Sequence, residues 1–249
     1  MKTKYAIQLF SVRDVTKDDL EGAMRAVAEM GYHGVEFAGF FGNSAETVKS
    51  WLDKYGLEVV GSHTGAGELT PETIEATVAY NKAIGNKNII IPSFRATDDG
   101  FEELVSTINY ALPILKENGI QLTYHNHSTE FNTTETGRCY YSELEERTEV
   151  EFEIDTFWAY NAGLDPVALI ERLKNRIRLI HLMDGEPSGT GYEKGARSKA
   201  IGEGTAPVKR VVECAKALGI GMVVESEGLD PTGPEEVKRC IDYLRSFED

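Results

Sequence analysis

The chain has 249 residues and a formal charge of −15, from 26 lysines and arginines against 41 aspartates and glutamates. Its 41% hydrophobic content supplies a sizeable core and excludes wholesale disorder, whereas no apolar run is long enough to span a bilayer. The acidity argues against a nucleic-acid partner, whose phosphates draw affinity from Lys and Arg, and three unevenly spaced cysteines without a leader-like N-terminus lead us to expect a reducing, cytoplasmic setting.

A strand is predicted over 5–10 and a helix over 17–30, with Asp18 and Asp19 where acids favour a helix start. Met30-Gly31-Tyr32-His33-Gly34-Val35-Glu36 leads into the second strand, and a helix over 44–56 runs through Gly56 into the third. The helix over 70–85 opens on Thr70-Pro71-Glu72-Thr73, which puts Pro71 at its first position. Gly85 then leads to a strand ending on Ile89-Ile90-Ile91, and a helix over 99–118 to the fifth strand, 120–125. A helix over 136–147 precedes the sixth strand, 150–154; one over 165–175, capped by Asp165 before Pro166, precedes the seventh, 177–182. A helix over 205–218, the strand 220–225 and a helix over 233–247 complete the series. Glycine recurs where helix gives way to strand because it accepts the left-handed conformation of that turn. Eight strands alternating with eight helices imply parallel crossovers, and the arrangement that uses them all is a single (β/α)8 TIM barrel over residues 1–249.

Strand alternation separates two faces. Ile120, Leu122 and Tyr124 oppose Gln121, Thr123 and His125; Val150, Phe152 and Ile154 oppose Glu151, Glu153 and Asp155; Ile7 and Leu9 oppose Gln8. The apolar sets are expected to face the helices and the polar sets the barrel interior. The C-terminal strand ends, where barrel enzymes place their chemistry, then collect Glu36, His63, His125, Asn126, His127, Asp155, His181, Asp184, Glu225 and Glu227. Imidazole nitrogens and carboxylate oxygens together suit a divalent cation such as Mn, Co, Zn or Mg, and nothing suggests a thiolate site.

Leu122-Thr123-Tyr124-His125-Asn126-His127 with Glu130-Phe131, then Glu153-Ile154-Asp155-Thr156-Phe157-Trp158, Gly163-Leu164-Asp165-Pro166, Ile180-His181-Leu182-Met183-Asp184, Ile201-Gly202-Glu203-Gly204 and Val224-Glu225, resemble the xylose-isomerase-like barrels of the sugar-phosphate isomerase/epimerase superfamily. The resemblance covers nearly the whole chain, and the Tyr-His-Asn-His end of strand five is similar to inosose dehydratase-like members. It implies metal ligands at Asp155, His181 and Glu225, with His125 standing where the superfamily has a glutamate. Trp158 stands where the epimerases have a substrate-binding histidine, and Met183 where a His-x-Lys-Asp motif has lysine.

The expected chemistry is proton abstraction beside the carbonyl of a sugar or keto-sugar, through an enediolate stabilised by a cation on His125, Asp155, His181 and Glu225. Glu225 is the expected base, and His127, or a water oriented by Glu130, returns or relays the proton. Glu153, one layer deeper, is expected to orient His125 or His127 by a hydrogen bond. Glu36, His63, Trp158 and Asp184 are the expected substrate contacts. Expulsion of a β-leaving group would make the same site a dehydratase or lyase on a keto-sugar or keto-cyclitol, and a non-catalytic sugar-binding barrel is the other alternative. The partners are thus a small-molecule sugar and no membrane, with a homo-oligomer compatible. The long glycine-rich segment 184–201 reads as a lid, and Arg95, Lys194, Arg197 and Lys199 as basic rim residues able to take a phosphate.

Overall fold

Apolar residues facing outward and polar residues facing inward is what the chain builds. The computed structural model describes residues 3–247. Its strands are β1 (Tyr5–Gln8), β2 (Gly34–Phe37), β3 (Glu58–His63), β4 (Asn88–Ile91), β5 (Gln121–His125), β6 (Glu151–Asp155), β7 (Ile177–Leu182), β8 (Asp184–Glu186), β9 (Arg197–Lys199) and β10 (Gly221–Val224). Eight of them close a parallel barrel in the order β1-β10-β7-β6-β5-β4-β3-β2, and β8 and β9 pair separately as an antiparallel hairpin. The expected TIM barrel is present. The segment read as a plain lid loop carries that hairpin on the C-terminal side of the barrel.

The helices are α1 (Arg13–Thr16), α2 (Leu20–Glu29), α3 (Ala45–Tyr55), α4 (Ile74–Ile84), α5 (Asp98–Glu117), α6 (Tyr140–Arg147), α7 (Thr156–Asn161), α8 (Pro166–Leu173), α9 (Val208–Leu218) and α10 (Gly233–Ser246). Asp19 caps α2 by accepting from Gly22 N, Asp165 caps α8 by accepting from Val167 N, and Gly56 ends α3 at φ 65°. Two expectations need correction. Pro71 does not open α4 but lies in a turn ahead of Ile74, where its missing N–H breaks no helical bond. The helix expected from 136 begins at Tyr140, because Thr133 and Cys139 pair first as an antiparallel bridge. The short α7, directly after β6, has no counterpart among the expected elements.

Ile7, Leu122, Tyr124, Phe152 and Ile154 are buried in the layer between barrel and helices. Inside the barrel, Gln8, Glu36, Thr123, Glu153, Asp155 and His181 are all fully buried. Branched apolar residues usually fill that space, and buried polar groups persist only with partners, so the interior is built around a polar network.

Two ladder irregularities position this network. Between β2 and β3 the pairing moves from Val35↔Val59 to Glu36↔Gly61, leaving Val60 as an extra residue. Between β6 and β7 it moves from Phe152↔Ile177 to Glu153↔Leu179, leaving Arg178 as another. Partners at one level of a parallel ladder share a face, so each bulge re-phases its strand.

Candidate metal centre and active-site cavity

His181 on β7 stands at the centre of the interior. Its Nε2 lies 2.8 Å from Glu36 Oε1 and 3.2 Å from Glu153 Oε2, and its Nδ1 lies 2.7 Å from Glu225 Oε2 and 3.9 Å from Asp155 Oδ2. His63, stacked on the His181 ring at 5.6 Å, brings its Nε2 within 3.1 Å of Glu36 Oε1 and 3.3 Å of Glu153 Oε2. Gln8 Nε2 also donates to Glu36 Oε1, at 2.7 Å. Above this layer, His125, Asp155, His181 and Glu225 place one ligand atom each within 4.8 Å of one another, as do His63, His125, Glu153 and His181. Glu225 lies just past β10, held there by its backbone N–H donating to Leu182 O at 3.0 Å.

The first quartet fits a divalent cation. Asp155 Oδ1 accepts the Trp158 N–H at 2.7 Å and so caps α7, while its Oδ2 is buried without a partner. His125 Nδ1 is likewise unpartnered, 3.5 Å from Glu153 Oε2 without making a hydrogen bond. An orphaned buried acceptor such as Asp155 Oδ2 is costly, and a cation would satisfy it. The charge balance agrees. Burial pushes the Asp155 carboxyl well above its usual value, and the Glu225 charge adds to this, as expected where positive charge is missing. Burial and the neighbouring His181 lower His125 to about 3, which keeps its imidazole neutral and able to ligate. Burial also works to raise Glu225, but the His181 charge outweighs it and takes the carboxyl down to about 2. His63 is the reverse case: burial lowers it, Glu36 and Glu153 prevail, and it rises to about 9.

A cavity of about 410 Å³ opens over His63, His125 and Glu225, with Phe10, Pro92, Ser93, His127 and Glu227 on its walls. Phe10, Pro92 and Ser93 carry no chemical signature, although their places just past β1 and β4 are strand-end positions of the kind that supplied the other candidates. Burial and the Glu225 charge raise Glu227 to about 7. His63 and His127 reach the cavity as expected, and His127 packs edge-on against His125 at 5.2 Å.

Other expected contacts are placed elsewhere. Glu36 is fully buried beneath the cavity, engaged by Gln8, His63 and His181, and so is not at the position of a substrate contact. Glu130 Oε1 accepts the Tyr124 hydroxyl at 2.7 Å and Oε2 the His127 backbone N–H at 3.2 Å, so it fixes the turn carrying His127 from the helix side. Asp184 is not among the residues lining the cavity over His63, His125 and Glu225; its oxygens accept the backbone N–H groups of Gly185, Gly202, Gly204 and Ala206 at 2.8–3.1 Å. Glu153 contacts His63 and His181 and approaches His125, but not His127. Trp158 packs with Phe157 and Met183 and lines a second cavity of about 390 Å³, together with Arg197 and Lys199. Of the other rim cations, Arg95 is paired with Glu103.

A family model described as xylose isomerase-like TIM barrel matches residues 24–247. Inosose dehydratase of Geobacillus kaustophilus is 27% identical over 183 residues, which cover 64% of this chain and 59% of that protein, so the match spans about three fifths of the relative's length. A 2-oxo-tetronate isomerase of Haemophilus influenzae is 22% identical over 183 residues, covering 63% and 71% of the two chains. Among solved structures, a sugar phosphate isomerase/epimerase from Parabacteroides distasonis superposes with a TM-score of 0.80 at 25% identity, covering 98% of both chains.

Proposed function

We propose that this chain, which belongs to the xylose isomerase-like TIM barrel family, is a metal-dependent sugar isomerase or epimerase that removes the proton beside the carbonyl of a sugar or keto-sugar. The observation that carries this reading is the convergence of His125, Asp155, His181 and Glu225 at the cavity floor, with one buried oxygen and one buried nitrogen unpartnered. A divalent cation held by those four would act as a Lewis acid toward adjacent substrate oxygens, offsetting the negative charge that proton loss creates. Glu225 is ionised throughout the neutral range and faces the cavity, so it takes the proton. His127, just past β5 and separated from β10 by the two strands β7 and β6, offers a second group for returning the proton to substrate. Glu36 and Glu153 hold the rings of His181 and His63 from behind, and Glu130 holds the His127 backbone.

A lyase reading is favoured by the similarity to inosose dehydratase. After Glu225 removes the α-proton, a β-hydroxyl leaves with its bonding electrons and His127 supplies the proton that makes it water. One experiment separates these readings. In deuterated water with manganese and a panel of keto-sugars, an isomerase or epimerase incorporates deuterium without change of composition, and a dehydratase yields a product short by one water. A barrel that only binds sugar does neither, and that result would reject both enzymatic readings.

A further inference from the structure

We infer that the substrate has two rings, a disaccharide or other glycoside without phosphate, and that its second ring occupies the cavity beside the catalytic one. This rests on the sugar site proposed above and adds its substrate class. The second cavity, about 390 Å³, nearly equals the first at about 410 Å³, and Glu227 lines both. Each falls within the roughly 300–1,000 Å³ usual for small-molecule sites. A single sugar ring is served by the first cavity alone, which leaves the second unexplained.

The chemistry of the second cavity selects its occupant. β9 contributes Arg197 and Lys199, α7 contributes Trp158, and α10 contributes Glu236 and Arg239. Most of the charge is already spent. Arg239 Nε pairs with Glu203 at 2.8 Å, Arg197 pairs with Glu186, and Glu236 accepts the Ser226 hydroxyl and the backbone N–H groups of Gly228 and Asp230. Among the described residues, Lys199 has no partner for its ammonium group, and the indole N–H of Trp158, a residue only 6% exposed, has no acceptor. Against these donors stand the carboxyl groups of Glu227 and Asp230. Mixed donors and acceptors match hydroxyl groups, each of which donates once and accepts twice. A phosphate, which needs donors only, would meet two acids.

The test reads binding, so it does not depend on turnover. Fructose, the fructose-containing disaccharides lactulose and isomaltulose, and fructose 6-phosphate are titrated by calorimetry into the protein supplied with manganese. Saturation-transfer NMR then reports which ring touches the protein. The expected result is binding of a disaccharide about tenfold or more tighter than fructose, with saturation on both rings. Lys199→Met and Trp158→Phe should each shrink that ratio by about threefold or more; Lys199 is partly exposed, so its variant is a check independent of folding. Equal affinities for fructose and the disaccharides, or a ratio unmoved in both variants, overturns the second-ring subsite and leaves the proposed sugar site standing. Tighter binding of fructose 6-phosphate overturns it in favour of an anion subsite. Binding of none of these sugars overturns both readings together.

Discussion

Glu36 and Glu225 grip one imidazole from opposite sides: Glu36 Oε1 lies 2.8 Å from His181 Nε2, and Glu225 Oε2 lies 2.7 Å from Nδ1. The deeper carboxylate fixes the ring by accepting the Nε2–H hydrogen bond, which would leave Nδ1 as the atom to ligate a cation bound in place of the Nδ1 proton. Glu36→Gln should therefore weaken metal binding about 10–100-fold, while kcat at saturating metal changes less. Metal titration of activity, compared with calorimetric metal binding, checks this; unaltered metal affinity would remove Glu36 from any supporting role.

Glu225→Gln should lower turnover about 10²–10⁴-fold, the range of general acid–base contributions, with the far-ultraviolet circular dichroism unchanged. Solvent deuterium exchange into substrate is the measurement. Retained exchange would take the role of base away from Glu225.

Chelator-treated protein should gain thermal stability when manganese, cobalt, zinc or magnesium is added. At 100-fold excess over the dissociation constant, linkage gives about 2.7 kcal/mol, which corresponds to roughly 5–10 °C in Tm for a domain of this size. His125→Ala should abolish most of the shift. A melting curve indifferent to all four cations counts against the quartet as a metal centre.

Asp184→Asn places an NH2 donor where two oxygens now accept four backbone N–H groups. Each buried donor left without an acceptor costs about 1–3 kcal/mol. The segment after β8 should loosen first, so limited proteolysis within 185–206 is expected before global unfolding. A variant as protease-resistant as the parent would show that Asp184 does not anchor this segment.

Glu102 links Arg147 and Arg138, whose hydrogen bonds hold its carboxyl at about 2. The folded value lies below the ordinary 4.5, so the contribution is complete above about pH 4.5 and is lost as pH falls toward 2. Glu102→Gln should therefore lower Tm slightly at pH 7 and low salt, and the gap from the parent should close in acid and in high salt. A gap independent of pH would mean that the side chain acts by packing.

The barrel and its polar lining were legible because β5 and β6 alternate cleanly: Leu122, Tyr124, Phe152 and Ile154 are buried toward the helices, and His125, Glu153 and Asp155 line the interior. Whether a carboxylate is free could not be read in the same way. Asp184 and Glu130 carry the same group as Glu225, but backbone N–H groups from elsewhere in the chain fill the oxygens of Asp184, and the Tyr124 hydroxyl and the His127 N–H those of Glu130. Asp155 hid a double duty, since α7 begins directly after it and uses Oδ1 as a cap while Oδ2 stays bare. Glu36 was expected to touch substrate because it ends a short strand, yet β2 continues to Phe37 and Glu36 sits below the cavity floor.

The extra residues Val60 and Arg178 have one more consequence. Val59 and Gly61 would point the same way in an unbroken strand, as would Ile177 and His181, but their ladder partners show that each pair is split between wall and lumen. His63 and His181 thus look into the lumen because each strand miscounts by one residue before reaching them. A homologue lacking either extra residue could keep every histidine and glutamate in its alignment and still turn one of them toward the helices.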